Sequence, residues 1–191
     1  MIDARVGAAF ALSLWTGGLR ASWLPDRASR ADPQTAVVVL ARDVRDSINA
    51  IWKRNNQHWN ELAKVNTLTQ MLGSGPPTQH EYMGCLVGRS RADTVWVTSW
   101  QTARNLKQLQ FAVTGTCDHV RHLIGTWHTH PFRASPEGDA LKEPVLSAGD
   151  LATFGGGHDR VILAAWDVDS IDAAVRAADG TLIHPATVVT H

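Results

Sequence analysis

The chain has 191 residues, 44% of them hydrophobic and 19% charged, which is enough apolar content for a buried core and too little charge for a disordered chain. Lys plus Arg and Asp plus Glu each number 18, so a formal charge of zero gives no electrostatic case for nucleic acid or an anionic membrane surface as partner. Two cysteines suggest neither a disulfide framework nor a CxxC zinc site, and the expectation is free thiols in a reducing cytoplasm.

Residues 1–33 have mixed composition and end in "PDRASRADP", which reads as an N-terminal extension and linker to a main domain at 34–191. Val6 to Trp15 is largely apolar after Arg5, but Asp3 and the lack of a clear small-x-small cleavage pattern argue against a signal peptide. No apolar run is long enough for a membrane span. Thr35 to Ala41, "TAVVVLA", predicts a buried strand. A long helix is expected from about Asp43 to Met71, with Val44, Ile48, Ile51, Trp52, Trp59, Leu62, Val65 and Leu68 on one face and "GSGPP" ending it.

"HEYMGCLVGRS" and "TVWVTSWQ" predict two strands joined at "SRAD". Residues 101–116 look less regular. A strand is expected from about His122 to His130, then a polar loop from Phe132 to Leu146. "SAGDLATF" places Ser and Asp where a helix begins. "RVILAAWDV" predicts a strand, and "AAVRAADGTLIHPATVV" a closing hairpin turning at Asp179-Gly180. The order gives an α/β or α+β architecture around one sheet. Most of the eight tryptophans are expected in the core or at interfaces.

The chemistry concentrates in "GTWHTHP", Gly125 to Pro131. In a strand His128 and His130 point to one face, where two imidazoles can share a metal ion, with zinc the natural choice. Asp150 in "Ser147-Ala-Gly-Asp150" opens the next helix and can swing back as a third ligand, leaving a fourth position for water. Ser147 caps that helix or hydrogen-bonds a developing oxyanion. Glu81, at the start of an apolar strand, is a candidate general base. Asp139, in the loop, is a rival third ligand, while Glu137 and Glu143 are expected in solvent. His80, His119, His122 and His158 are not needed for the site. Cys85 reads as a small buried thiol, with a nucleophile as the alternative. "FGGGH" lacks the lysine of a phosphate loop.

Together, Glu81 with Gly84, Leu86 and Gly88, then His128-x-His130-Pro131, then Ser147-x-x-Asp150 resemble the JAMM motif of the MPN/JAB family of zinc metalloproteases. The resemblance spans roughly residues 35–190. It implies an MPN/JAB-like central mixed sheet flanked by a long helix and shorter helices. It implies one Zn²⁺ per chain on His128, His130 and Asp150, with Glu81 as base and Ser147 stabilising the oxyanion. Active members cleave amide bonds after the C-terminal glycine of ubiquitin or a ubiquitin-like protein.

The implied partners are therefore a ubiquitin-like protein or its conjugates, and the activating and conjugating enzymes of a bacterial ubiquitin-like system, antiphage defence included. The fifteen residues between Pro131 and Ser147 exceed the family's usual loop. Two other classes stay open: a non-catalytic MPN scaffold, and an amidase acting on small-molecule or peptide conjugates.

Overall fold

The computed structural model describes residues 35–56, 80–109, 111–134 and 140–191. The expected extension at 1–33, the expected helix beyond residue 56, and Glu137 and Asp139 lie outside the described residues. Strand β1 (Val37–Leu40) is the expected β-branched run, and helix α1 (Arg42–Asn56) follows it directly. Asp43 sits in the first turn of α1 and Lys53 and Arg54 in the last, each sign opposing the helix dipole. Val44, Ile48 and Trp52, four residues apart, are buried, so the apolar stripe faces the sheet.

Strands β2 (Met83–Arg91) and β3 (Thr94–Thr102) form a hairpin that turns at Ala92, whose φ is 50°. Residues 104–116 correct the reading of an irregular stretch. They form an antiparallel hairpin, β4 (Arg104–Leu109) with β5 (Ala112–Thr116). None of its described strand positions is fully buried, so no alternation of apolar residues marks it in the sequence.

Strand β6 (Leu123–Thr129) carries the first of the two histidines. Within the loop that follows, β7 (Arg133–Ala134) and β8 (Ala140–Leu141) make a two-stranded pair. Helix α2 (Ala148–Gly156), β9 (Val161–Asp167), β10 (Ser170–Arg176), β11 (Leu182–Ile183) and β12 (Thr187–Thr190) complete the described chain. The expected closing hairpin is present only as β10 with β11. The chain leaves it after Ile183, and β12 pairs in parallel with β1 instead.

Eight strands form one mixed sheet in the order β11-β10-β9-β6-β2-β3-β1-β12. The sheet curls, because Ala186 N donates to Ala173 O on β10 while Thr187 N donates to Ala36 O beside β1. The fold is α+β, as expected.

The two faces of β9 show how the layers are built. Val161, Leu163 and Ala165 join the main core with α1, Val38, Leu86 and Trp127. Ile162 and Ala164 point the other way, into a cluster with Leu146 and Phe154 of the α2 side. A third cluster joins Cys85, Ala103, Cys117 and Val120, with Leu106 of β4 packed on it.

Cys85 and Cys117 form a disulfide there, with Cα atoms 5.7 Å apart. This corrects the reading of Cys85 as a free buried thiol, and it removes the cysteine-based argument for a reducing compartment. No helix among the described residues is long and apolar enough to cross a membrane.

Candidate metal centre

The site begins with strand pairing. Met83 of β2 stands opposite His128 of β6. One step outward, Thr129 N donates to Tyr82 O, and Tyr82 N donates to Thr129 Oγ1, each at 2.9 Å. The antiparallel ladder is thereby extended, and the next pair outward is Glu81 and His130. The alternation of the pleat puts Trp127 in the core under α1 and turns His128 to the α2 face.

The glycines on these strands have a packing reason. A Cβ on Gly84 would stand 2.3 Å from Trp127 Nε1, and one on Gly125 would stand 1.8 Å from Val161 O. Neither position has room for a side chain.

His128, His130 and Asp150 converge as a group able to hold a metal ion. Both histidines are buried, at 6% and 4% exposure. Their Nε2 atoms lie 2.9 Å apart. Asp150 Oδ1 is 3.4 Å from His128 Nε2, and Oδ2 is 3.4 Å from His130 Nε2. Ligands bound at about 2.0–2.1 Å to a tetrahedral ion stand about 3.3 Å from one another. The donor set therefore fits a small divalent cation, and two imidazoles with one carboxylate suit zinc.

His130 Nδ1 faces the Glu143 carbonyl at 3.2 Å. Donation from Nδ1–H to that carbonyl turns the Nε2 lone pair toward the cluster, the usual way in which a ligand histidine is oriented. Glu143 thus enters the site through its backbone, and it lines the pocket where the sequence reading left it in solvent. The exit of β6 is held from α1. Trp52 Nε1 donates to His130 O at 3.3 Å, and Phe132 N donates to Asn56 Oδ1 at 3.1 Å.

Ser147 is the N-cap of α2 and Asp150 its partner in a capping box. Asp150 N donates to Ser147 Oγ at 3.1 Å. Ser147 N and Ser147 Oγ donate to Asp150 Oδ2 at 2.8 and 2.6 Å. The same motif that starts the helix aims the carboxylate at the histidines.

Burial by itself would raise the Asp150 pKa, but the two imidazoles and the Ser147 hydroxyl hold it well below the carboxylate range. Burial by itself would lower His130, yet Asp150 and the Glu143 carbonyl hold it above its ordinary value.

Glu81 is buried at 8% exposure. Its backbone is fixed by the β4–β5 hairpin: Glu81 N donates to Leu109 O and Gln108 Nε2 donates to Glu81 O, each at 3.0 Å. Residues Phe111, Ala112 and Val113 of the hairpin then form one wall of a pocket of about 290 Å³. Glu81, the two histidines, Ser147 and Asp150 line the rest. A larger groove, about 530 Å³, runs between α1 and Tyr82, Trp100 and Gln108, and Arg54 is the only charged residue among its described lining.

Of the other histidines, His80, His122 and His158 are exposed, and His119 lies beside Asp118. None belongs to the cluster. No protein-family model matches the chain, and no curated protein matches it. The fold and the site together define an α+β domain with a His-His-Asp group, its histidines buried and its aspartate half-buried, at the end of the central strand β6.

Proposed function

We propose that the chain is a zinc-dependent peptidase or isopeptidase that hydrolyses the amide bond after the C-terminal glycine of a ubiquitin-like protein. The observation that carries this reading is the convergence of a buried carboxylate, Glu81, with His128, His130 and Asp150 around one pocket. A cation held by His128, His130 and Asp150 supplies Lewis-acid chemistry, acidifying water and polarising a carbonyl.

Glu81 accepts the proton of the attacking water as the new C–O bond forms, and returns it to the nitrogen as the C–N bond breaks. Its backbone anchors hold it in place for both transfers. Ser147 Oγ donates to the oxyanion. In the structure that hydroxyl donates to Asp150 Oδ2, so this role requires the hydroxyl to turn away from Asp150.

A polypeptide substrate is supported by the rim. Leu109, Phe111, Leu141 and Val145 are large exposed apolar side chains, and they lie on the hairpin and the loop that flank the pocket. The partners in this reading are a ubiquitin-like modifier and its conjugates, with the activating and conjugating enzymes of the same system.

The test is cleavage of a ubiquitin-like protein fused through its terminal glycine to a reporter. Zinc-loaded protein is expected to release the reporter at that glycine, and a chelator to stop it. Release of small acyl amides without cleavage of any such fusion would replace the isopeptidase reading with that of a small-molecule amidase. A protein that binds zinc and cleaves neither substrate class would leave a non-catalytic module.

A further inference from the structure

A second buried carboxylate lies near the centre and takes no part in the chemistry above. Asp172 of β10 pairs with Ala164 of β9, which pairs in turn with His128 of β6. The three residues stand abreast on neighbouring strands. Ala164 belongs to the cluster on the α2 side, so Asp172 faces the same layer as the candidate ligands. Asp172 is 9% exposed.

Its Oδ2 accepts two hydrogen bonds, from Leu146 N and from His184 Nε2, both at 2.7 Å. The next amide along, Ser147 N, donates to Asp150 Oδ2. Two consecutive backbone N–H groups are therefore captured by two different carboxylates, one on the sheet and one in the candidate centre. Three residues before Leu146, the Glu143 carbonyl meets His130 Nδ1. The segment from Glu143 to Ser147 touches the cluster at both ends, and Asp172 pins it between them.

We infer that Asp172 is a positioning residue of the metal centre: through Leu146 N–H it sets the turn that delivers Ser147 and Asp150 to the histidines, and His184 holds its carboxylate in place. A buried carboxylate is stable only with such partners, and an outer hydrogen bond that orients a ligand contributes to metal affinity. The inference rests on His128, His130 and Asp150 binding a metal ion, and on no particular substrate.

The experiment measures zinc affinity by competition with a chromogenic chelator, and the visible spectrum after loading with Co²⁺, in the full chain. Asp172→Ala is expected to weaken zinc binding by about 10- to 100-fold and to alter the Co²⁺ bands, because Asp150 loses its fixed turn. Asp172→Asn keeps an oxygen for Leu146 N–H and is expected to restore most of the affinity.

Ile162→Ala thins the same apolar cluster without touching that hydrogen bond, and serves as the packing control. It is expected to lower Tm and leave the Co²⁺ spectrum unchanged. Equal zinc affinity in Asp172→Ala and wild type would overturn the positioning role alone. So would a loss in Ile162→Ala as large as in Asp172→Ala. Wild-type protein that takes up neither ion would overturn the metal centre itself, and the inference with it. If Asp172→Ala does not fold, Asp172→Leu and His184→Ala decide: affinity at the wild-type level in both, with Asp172→Leu folded, overturns the inference.

Discussion

Tyr82 and Thr129 are joined twice, by Thr129 N–H to Tyr82 O and by Tyr82 N–H to Thr129 Oγ1, and this double link sets Glu81 beside His130. Thr129 is fully buried, so its hydroxyl cannot be replaced by water. Thr129→Val keeps the shape and removes the acceptor. It leaves Tyr82 N–H without its partner, a loss of about 1–3 kcal/mol. The expected outcome is a lower Tm, full zinc stoichiometry, and slower hydrolysis because Glu81 is less well fixed. Thermal unfolding and elemental analysis of the same sample check it.

Asp150 serves both the helix and the cluster, and its substitution separates the two. Asp150→Ala removes one candidate ligand and half of the capping box, whose loss is about 0.5–2 kcal/mol. Asp150→Ser keeps a short polar side chain that does not reach the histidines. Both variants are expected to lose zinc by chelator competition, while Asp139→Ala retains it. Zinc retained by Asp150→Ala and lost by Asp139→Ala would move the ligand role to the loop.

Glu81→Gln is close to isosteric and leaves its two backbone hydrogen bonds in place. It removes the proposed proton acceptor. Zinc content is expected to match wild type while turnover falls by about 100- to 10,000-fold. Single-turnover cleavage of the reporter fusion measures this. Normal turnover would reassign the base.

The sequence carried those parts of the site whose signals are local. The i, i+2 spacing puts His128 and His130 on one face of a strand, and Ser147-x-x-Asp150 is both a capping box and a way to aim a carboxylate. The β-branched run of β1 and the apolar residues of β9 likewise made their strands legible.

What stayed hidden depends on long-range contact. Trp52 reaches His130 across 78 residues, and Asp172 reaches Leu146 across 26. No local pattern encodes either. The β4–β5 hairpin has no clear local signal, because none of its strand positions is fully buried and its few apolar residues do not alternate along it. It is held by Cys85–Cys117 and by Glu81. The part Glu143 plays is illegible in the sequence because its contribution is a carbonyl, which every residue has.

The disulfide joins β2 to the residue just after β5, with 32 residues of separation, and so clamps the hairpin that fixes the Glu81 backbone. Closing a loop of that length stabilises the fold by about 3–4 kcal/mol in the chain-entropy account. Alkylation without prior reduction is expected to leave both cysteines unmodified by intact mass. Cys85→Ser with Cys117→Ser is expected to lower Tm and to slow the proposed hydrolysis more than it weakens zinc binding, since the candidate ligands lie at the end of β6 and on α2. Two alkylated cysteines in folded, active protein would show that the hairpin holds without the bond.

Two glycines give opposite expectations from the same substitution. Gly84→Ala places a Cβ 2.3 Å from Trp127 Nε1 and 2.8 Å from Trp100 Cε3. These rings belong to an edge-on pair with centroids 5.2 Å apart, wedged in the core. An indole ring cannot yield as a flexible side chain would, so the strand must shift. Overpacking of this kind destabilises by about 1–3 kcal/mol, and Trp127 is the direct neighbour of His128. Gly149→Ala in α2 meets only Ser147 Oγ, at 3.6 Å. There the added Cβ is accommodated and favours the helix by about 0.5–1 kcal/mol. Tm is expected to fall for Gly84→Ala and rise for Gly149→Ala. Near-ultraviolet circular dichroism is expected to change only for the first. A tolerated Gly84→Ala with unchanged tryptophan signals would mean that the glycine serves neither Trp127 packing nor the placement of His128.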